Sequence, residues 1–323
     1  MKITDRKVSF EKDGGFYECI SSPEEMLLFD IETTGLKKEN SRLYLIGCGY
    51  VDCDGWHIRQ WLSESPSDEE RVLKSFDAFA EGFKILVSYN GEGFDIPFIA
   101  YKNRYYGADF DIYEMESLDL YKKLRPIKKL LGLKSLRQKA VEGFLCADRE
   151  DKMDGGALIP YYYEYEITGS PENERLLLLH NFEDVLGMGK IFPALTYLEI
   201  PEGDFEYLGY AFEEERLRLE FILKKELPAE FDNGKISGKD SCLMVDLEIK
   251  DGKVLIPVKN PQDYYYLPYE DRIIHKDLAA FVDKKYKRKA TRENCFLKVE
   301  KEKIPLMGPE DLKSCAMGAI SCC

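Results

Sequence analysis

The 323-residue sequence predicts an α/β protein, a mixed sheet flanked by helices and followed by a smaller α+β segment. Strand-like runs at Met26–Phe29, Leu43–Val51 and Trp56–Leu62 succeed one another, and the turn Asp52-Cys53-Asp54-Gly55 joins the last two, so three antiparallel strands open the sheet. Apolar residues at Val72, Leu73, Phe76, Phe79 and Ala80 then give Asp68–Phe83 the spacing of an amphipathic helix. That helix leads straight into a fourth strand, Lys84–Tyr89, which such a crossover lays parallel to the first. The third observation is a hairpin near the end: Cys242–Ile249, the turn Asp251-Gly252, and Val254–Val258.

The remaining elements follow in order. A helix runs from about Ile96 to Tyr106 and stops at Gly107, a short strand lies near Leu118, and the chain is then mainly helical to about Leu198. Ile200-Pro201-Glu202-Gly203-Asp204 interrupts the pattern as a linker, which divides the chain into residues 1–200 and a smaller α+β domain at 201–323. Within the latter, Ile273–Tyr286 is expected to be helical.

Composition limits the class. Hydrophobic residues at 44% and charged residues at 33% describe a globular chain rather than a disordered or membrane one. No apolar run approaches the roughly 18 residues of a membrane span, and MKITDRKVSF lacks the apolar block of a signal peptide, so a cytoplasmic protein is expected. Nine scattered cysteines without Cys-x-x-Cys spacing agree with a reducing compartment. Cys315, Cys322 and Cys323 crowd the end, where they are expected to be a flexible tail rather than a metal site.

The net charge of −14 speaks against a polyanionic partner until its distribution is considered. Tyr121–Lys139 carries eight basic residues and no acidic one, among them Lys122, Lys123, Arg125, Lys128 and Lys129. Arg272–Arg292 carries eight against Asp277 and Asp283. Such segregation suits a phosphate track in an otherwise acidic protein, and it equally suits two solvated faces.

Chemistry is concentrated in three places. In LLFDIETTGL, Asp30 and Glu32 stand one residue apart after an apolar strand and so share one face, with Ile31 on the other. Two carboxylates so placed cost several kcal/mol unless neutralised, and magnesium or manganese prefers such oxygen ligands; a strand simply ending in solvent would leave the same pattern. In YNGEGFDIPFI, Asp95 precedes a helix, where it suits an N-cap, yet it also lies past the carboxyl end of the strand beside the first. In SPENERLLLLHNFEDVLGM, Ser170-Pro171 starts a helix apolar nearly all round, on which His180 and Asp184 stand four apart on one face.

DIETTGL, YNGEGFDIPFI and HNFED, in this order, resemble the three motifs of the DEDD 3′–5′ exonuclease superfamily, which has the ribonuclease-H-like fold. The matching acids are Asp30, Glu32, Asp95 and Asp184. The surrounding sequence over roughly residues 24 to 198 is similar to the YprB-type ribonuclease-H-like domain, and the middle motif also resembles the proofreading domain of family-B DNA polymerases, although 323 residues are too few for a polymerase. The resemblance implies hydrolysis of phosphodiester bonds by a two-metal mechanism with Mg2+ or Mn2+. It implies one ion held by Asp30, Glu32 and Asp184, a second bridged by Asp30 and supported by Asp95, and Thr34 and Leu36 against the terminal nucleotide.

One departure stands out. The superfamily has a tyrosine four residues before the last aspartate or a histidine five before it, and here a histidine takes the four-residue spacing. His180 suits a general base, and it equally suits a histidine bonded into helix packing. Asn90 would position substrate or ligand water, or simply form an Asn-Gly turn; Asp119 reads as a helix cap. Tyr161–Tyr163 and Tyr264–Tyr266 would stack bases or serve as ordinary core and surface residues. The expected function is therefore a nuclease on single-stranded DNA or RNA, most simply a 3′–5′ exonuclease, with a non-catalytic nucleic-acid- or protein-binding module as the alternative.

Overall fold

The computed structural model describes residues 1–9, 22–151 and 153–323. The chain divides into two compact units, residues 1–126 with 135–195, and residues 127–134 with 196–323.

The first unit is built on a six-stranded mixed sheet. Its strands are β1 (Lys2–Val8), β2 (Met26–Thr33), β3 (Leu43–Asp52), β4 (Gly55–Leu62), β5 (Ile85–Ser88) and β6 (Glu116–Asp119), in the spatial order β1-β4-β3-β2-β5-β6. The predicted hairpin closes with Asp52 opposite Gly55. As expected of a helical crossover, β5 lies parallel to β2, with Met26 beside Ile85. The edge strand β1, antiparallel to β4, has no counterpart in the sequence reading. Its sequence KITDRKV is mostly charged and half its residues face solvent, so no apolar alternation announces it.

The helices are α1 (Glu69–Ala80), α2 (Asp95–Tyr106), α3 (Leu120–Leu124), α4 (Gln138–Phe144), α5 (Gly155–Thr168) and α6 (Pro171–Ile191). Strand alternation sorts the core into two layers. Leu27, Phe29 and Ile31 of β2 pack with Val72, Leu73 and Phe76 of α1 and with Ile96 and Ile99 of α2. On the opposite face, Tyr44, Leu45 and Leu62 pack with Leu158, Tyr162 and Tyr165 of α5 and Leu177 and Leu178 of α6. Asp30 and Glu32 alternate with the first set and therefore face the α6 side. The middle of the Tyr161–Tyr163 run is a core residue, with Tyr162 stacked on Tyr44 at 4.1 Å between ring centres.

One acid in the α1 layer has a measurable signature. Asp77 is buried, with Oδ1 accepting from Asn103 Nδ2 at 3.2 Å and Oδ2 without a partner. Burial, partly offset by that hydrogen bond and reinforced by the charge of Glu81, pushes its carboxyl from 3.8 up to about 7. Because the folded value is raised, the native state binds more protons than the unfolded chain between these limits. The favourable contribution is complete below pH 3.8 and is lost as pH rises through about 7. Asp77→Asn should therefore gain stability relative to wild type as pH rises from 4 to 8, by about 2 kcal/mol after allowance for partial solvent screening. Chemical denaturation across that range checks it, and a difference independent of pH would refute it.

The second unit contains α7 (Glu199–Glu202), β7 (Phe205–Glu213), β8 (Arg216–Leu223), β9 (Phe231–Asp232), β10 (Ile236–Lys239), β11 (Cys242–Lys250) and β12 (Lys253–Pro257), then β13 (Tyr264–Leu267), β14 (Arg272–His275), α8 (Lys276–Ala279), β15 (Arg288–Lys289), β16 (Phe296–Glu300) and α9 (Pro309–Ile320). Seven strands form one sheet and β14-β13-β15 a smaller one. The predicted hairpin is β11 with β12. Two expectations are corrected. Ile273–Tyr286 is not one helix: Ile273 and Ile274 pair with Tyr266 and Tyr265 in a sheet, and helix is confined to one α turn at α8 and a 3-10 turn at Lys284–Tyr286. Paired β-branched side chains won over a helical spacing read from too few residues. The cysteine-rich end is not a loose tail, because α9 buries Cys315 with Ala316, Ala319 and Ile320. Its Gly318 approaches the Pro257 carbonyl so closely that a Cβ would stand 2.7 Å from the oxygen.

Candidate active site

Every residue of the site belongs to the first unit. Asp30 and Glu32 come from the carboxyl end of β2, Asp95 from the first residue of α2, and His180, Asn181 and Asp184 from the middle of α6. α6 approaches the sheet closely because β3 presents glycines there, Gly47 opposite Asp30 and Gly49 opposite Leu28. A Cβ on Gly47 would lie 2.1 Å from Asn181 Oδ1. The amide so admitted donates to Asp30 Oδ2 at 2.9 Å, while Gln60 Nε2 donates to its oxygen at 2.8 Å. Asp95 is not the N-cap that the sequence suggests, since Phe94 takes that place. Its Oδ1 accepts instead from the Ile31 backbone N–H at 3.2 Å, which ties the start of α2 to β2 between the two acids.

His180 Nε2 stands 3.3 Å from Glu32 Oε1 and 3.2 Å from Asp184 Oδ2. Its other nitrogen meets Asp151 Oδ2 at 2.7 Å. Glu32, His180 and Asp184 each offer a ligand atom, and these atoms lie within 4.8 Å of one another. Neither Asp30 nor Asp95 belongs to that tight trio; they lie close enough to repel its carboxylates, held by Asn181 and by Ile31 respectively.

The electrostatics are those of a site short of positive charge. Burial, then the charges of Asp184, Asp95 and Glu32, hold the Asp30 carboxyl well above the usual carboxylate range, and Asn181 offsets this only in part. Burial and the charges of Asp184, Asp95 and Asp151 do the same to Glu32. Asp95 is pushed up to about 7, chiefly by burial, against the pull of the Ile31 N–H. The Tyr44 hydroxyl is fully buried beside Glu32 and makes no hydrogen bond of normal geometry. An oxygen-rich cluster whose carboxylates oppose one another's ionisation fits a divalent cation, which would remove the repulsion directly.

Three residues of the site, Asn181, Arg149 and Asp151, went unread in the sequence. Arg149 and Asp151 lie between α4 and α5, in a stretch, ADREDKMDGG, that looks like a charged surface loop. Its only signal is an arginine set among acids. In the fold the half-buried Arg149 binds Asp184 Oδ1 at 2.5 Å and Asp151 Oδ2 at 3.2 Å through Nη2, while Nη1 lies 3.3 Å from Glu142 Oε1. Glu183 clamps the loop to α6 by accepting from the backbone N–H groups of Glu150 at 2.9 Å and Asp151 at 2.6 Å. Burial raises the Asp151 carboxyl, but the Met153 N–H, the contact with the His180 ring and the charge of Lys139 outweigh it and bring the group down to about 2.

The proposed substrate contacts are scattered. Thr34 exchanges hydrogen bonds with Arg42, its Oγ1 accepting from the Arg42 N–H at 2.8 Å, and Leu36 is exposed. Asn90 takes a left-handed conformation at φ 66° and its N–H donates to Asp119 Oδ1 at 2.9 Å. Asp119 also caps α3, so its role in the fold is structural. Lys122 is ion-paired with Glu92, whereas Lys123 and Arg125 are exposed in the same unit. Lys128 and Lys129 belong to the second unit, so the basic run is divided between the two.

Residues 27–196, more than half of the chain, match the family model of the RNase_H superfamily. The chain belongs to that superfamily. The matched span contains all of the residues that surround His180, and the mixed sheet flanked by helices is the RNase H-like architecture. Among solved structures the chain is similar to the family B DNA polymerase from the hyperthermophilic archaeon Pyrobaculum calidifontis, at 18% identity and a TM-score of 0.43, over 56% of this chain and 25% of the polymerase. The matched part is thus about a quarter of that polymerase's length. No curated protein matches the chain. Among the described residues no helix is long and apolar enough to cross a membrane.

Proposed function

We propose that this RNase_H superfamily member is a divalent-metal-dependent nuclease of the DEDD type, related to the YprB-type domains, that trims single-stranded DNA or RNA from the 3′ end. The observation that carries the reading is the meeting of Asp30, Glu32, Asp95 and Asp184 past the carboxyl ends of neighbouring parallel strands, where the ionisation of Asp30, Glu32 and Asp95 is opposed by burial and by the neighbouring acids. Gathering four such acids costs several kcal/mol that the hydrogen bonds from Ile31, Asn181 and Arg149 offset only in part, and a bound cation would offset the rest.

In this reading Asp30, Glu32, Asp95 and Asp184 hold the ions, Mg2+ or Mn2+, with His180 at the centre of the group. When bound, such ions neutralise phosphate charge and acidify water at neutral pH. The protein's own share is placement: Asn181 orients Asp30, the Ile31 N–H orients Asp95, and Arg149 orients Asp184. Thr34, Leu36 and Asn90, on turns that follow β2 and β5, contact the terminal nucleotide, and Lys122, Lys123, Arg125, Lys128 and Lys129 supply phosphate contacts. Residues 1–200 form the nuclease domain and 201–323 an accessory domain.

End-labelled single-stranded DNA and RNA, each with a free or a blocked 3′ end, should be shortened stepwise from the free end in Mg2+ or Mn2+ and not in EDTA. Equal cutting of blocked substrates would replace the exonuclease by an endonuclease. No cutting with either metal would leave the non-catalytic binding module.

A further inference from the structure

The four-residue spacing of His180 and Asp184 has a geometric consequence. An imidazole is shorter than the phenol of a tyrosine, and at this position on α6 its far nitrogen stops level with the carboxylates: Nε2 is 3.3 Å from Glu32 Oε1 and 3.2 Å from Asp184 Oδ2. Asp151 decides which nitrogen carries the proton. Its Oδ2 also receives Arg149 and Lys139, and its Oδ1 accepts from the Met153 N–H, so it is an ionised acceptor and Nδ1 of His180 must be the donor. In the neutral ring the Nε2 lone pair then points between two carboxylate oxygens. Three lone pairs converging in this enclosed space repel unless a proton or a metal cation lies among them, and three donors so placed suit the cation.

Two independent features mark the same spot. Gly155, the first residue of α5, passes so near that a Cβ there would stand 3.3 Å from Glu32 Oε2 and 3.6 Å from His180 Nε2, so any larger residue would crowd these donors. The buried Tyr44 hydroxyl beside Glu32 has no hydrogen bond of normal geometry. A histidine held through its second nitrogen by a carboxylate is the usual arrangement of a metal-binding imidazole.

We propose that His180 Nε2 is a direct donor to the divalent cation held by Glu32 and Asp184, that Asp151 is the positioning carboxylate that fixes its tautomer, and that the site therefore selects Mn2+ over Mg2+. The inference rests on the reading of the acid cluster as a cation site. It replaces the general-base role expected of His180 from the sequence, because the lone pair that would accept a proton is engaged. The selectivity follows from ligand chemistry: Mg2+ takes oxygen donors and keeps its waters, whereas first-row transition ions accept imidazole nitrogen.

Pulsed EPR of the full-length chain loaded with Mn2+ tests the bond itself. The wild type should show hyperfine coupling from a directly bound imidazole nitrogen that changes on 15N-histidine labelling. His180→Gln should lose it, although His57 and His275 remain. Calorimetric titration of His180→Gln should show Mn2+ affinity reduced at least about tenfold and Mg2+ affinity changed less than about threefold. Asp151→Asn should keep the nitrogen coupling and weaken Mn2+ binding by about tenfold.

Bound Mn2+ without nitrogen coupling in the wild type, no Mn2+ binding, or equal loss of both metals in His180→Gln overturns the assignment. Should His180→Gln fail to fold, the labelled wild-type spectrum decides alone. The degradation assay separates the two readings: nitrogen coupling without cutting removes the nuclease and keeps the donor, and cutting in Mn2+ without nitrogen coupling does the reverse.

Discussion

Asp30→Asn is expected to lower metal-dependent degradation of nucleic acid by at least about a thousandfold, a loss of about 4 kcal/mol of transition-state stabilisation. The same variant should unfold, without added divalent ion, at a temperature no lower than wild type and about 2 °C higher if the repulsion is fully relieved. Both halves come from one fact. Asp30 is packed, half-buried, beside Glu32, Asp95 and Asp184, whose like charges oppose its ionisation, and Asn181 is its polar partner. An asparagine keeps the size and an acceptor for Asn181 but removes the charge. Thermal unfolding in EDTA, paired with end-labelled degradation, reads both effects. A variant that cuts at the wild-type rate, or that melts many degrees lower in EDTA, would refute the picture of a charge retained for a cation.

Gly47→Ala should be a strongly damaging single-methyl change, because the added carbon meets a side chain that is fixed in place. Its Cβ would stand 2.1 Å from Asn181 Oδ1, far inside contact distance, and Asn181 cannot swing away, because it is fully buried and held by Gln60 and Asp30. The cost is expected to be about 2–3 kcal/mol of stability, together with a loss of activity of about tenfold or more as Asp30 loses its partner. Gly143→Ala, with open space around its Cβ in α4, should by contrast be neutral or stabilising by up to about 1 kcal/mol. Denaturation of both variants and of Gly47→Ala with Asn181→Ala tests the cause. The double variant should be no less stable than Gly47→Ala, since the second change removes the atom that clashes. Simple addition of the two losses would show that the damage arises elsewhere.

Much of the first unit could be read from local pattern. The alternation in Met26–Glu32 assigns Ile31 to one layer and both acids to the other, and the core divides accordingly. The helix after Ser170-Pro171 and its one-turn spacing of His180 and Asp184 are also periodic facts, and α6 has them. Where the pattern was weak, the reading failed. Charged β1 has no apolar alternation, and Ile273–Tyr286 offered too few residues to tell strand from helix before its pairing with Tyr264–Leu267 was known.

The sequence by itself determined that Asp30 and Glu32 share one face of a strand and that His180 and Asp184 stand one turn apart on a helix, because periodicity and spacing along the chain are local properties; the superfamily was legible only through the resemblance of its three motifs. The tertiary structure alone decided what surrounds them. Arg149 and Asp151 reach Asp184 and His180 through a loop whose sequence has no period, and Asn181 reaches Asp30 because Gly47 on another strand leaves the space. Contacts of this kind depend on how close two elements come, which no single segment encodes. For the same reason the spacing that suggested a base at His180 could not show that its far nitrogen ends between two carboxylates.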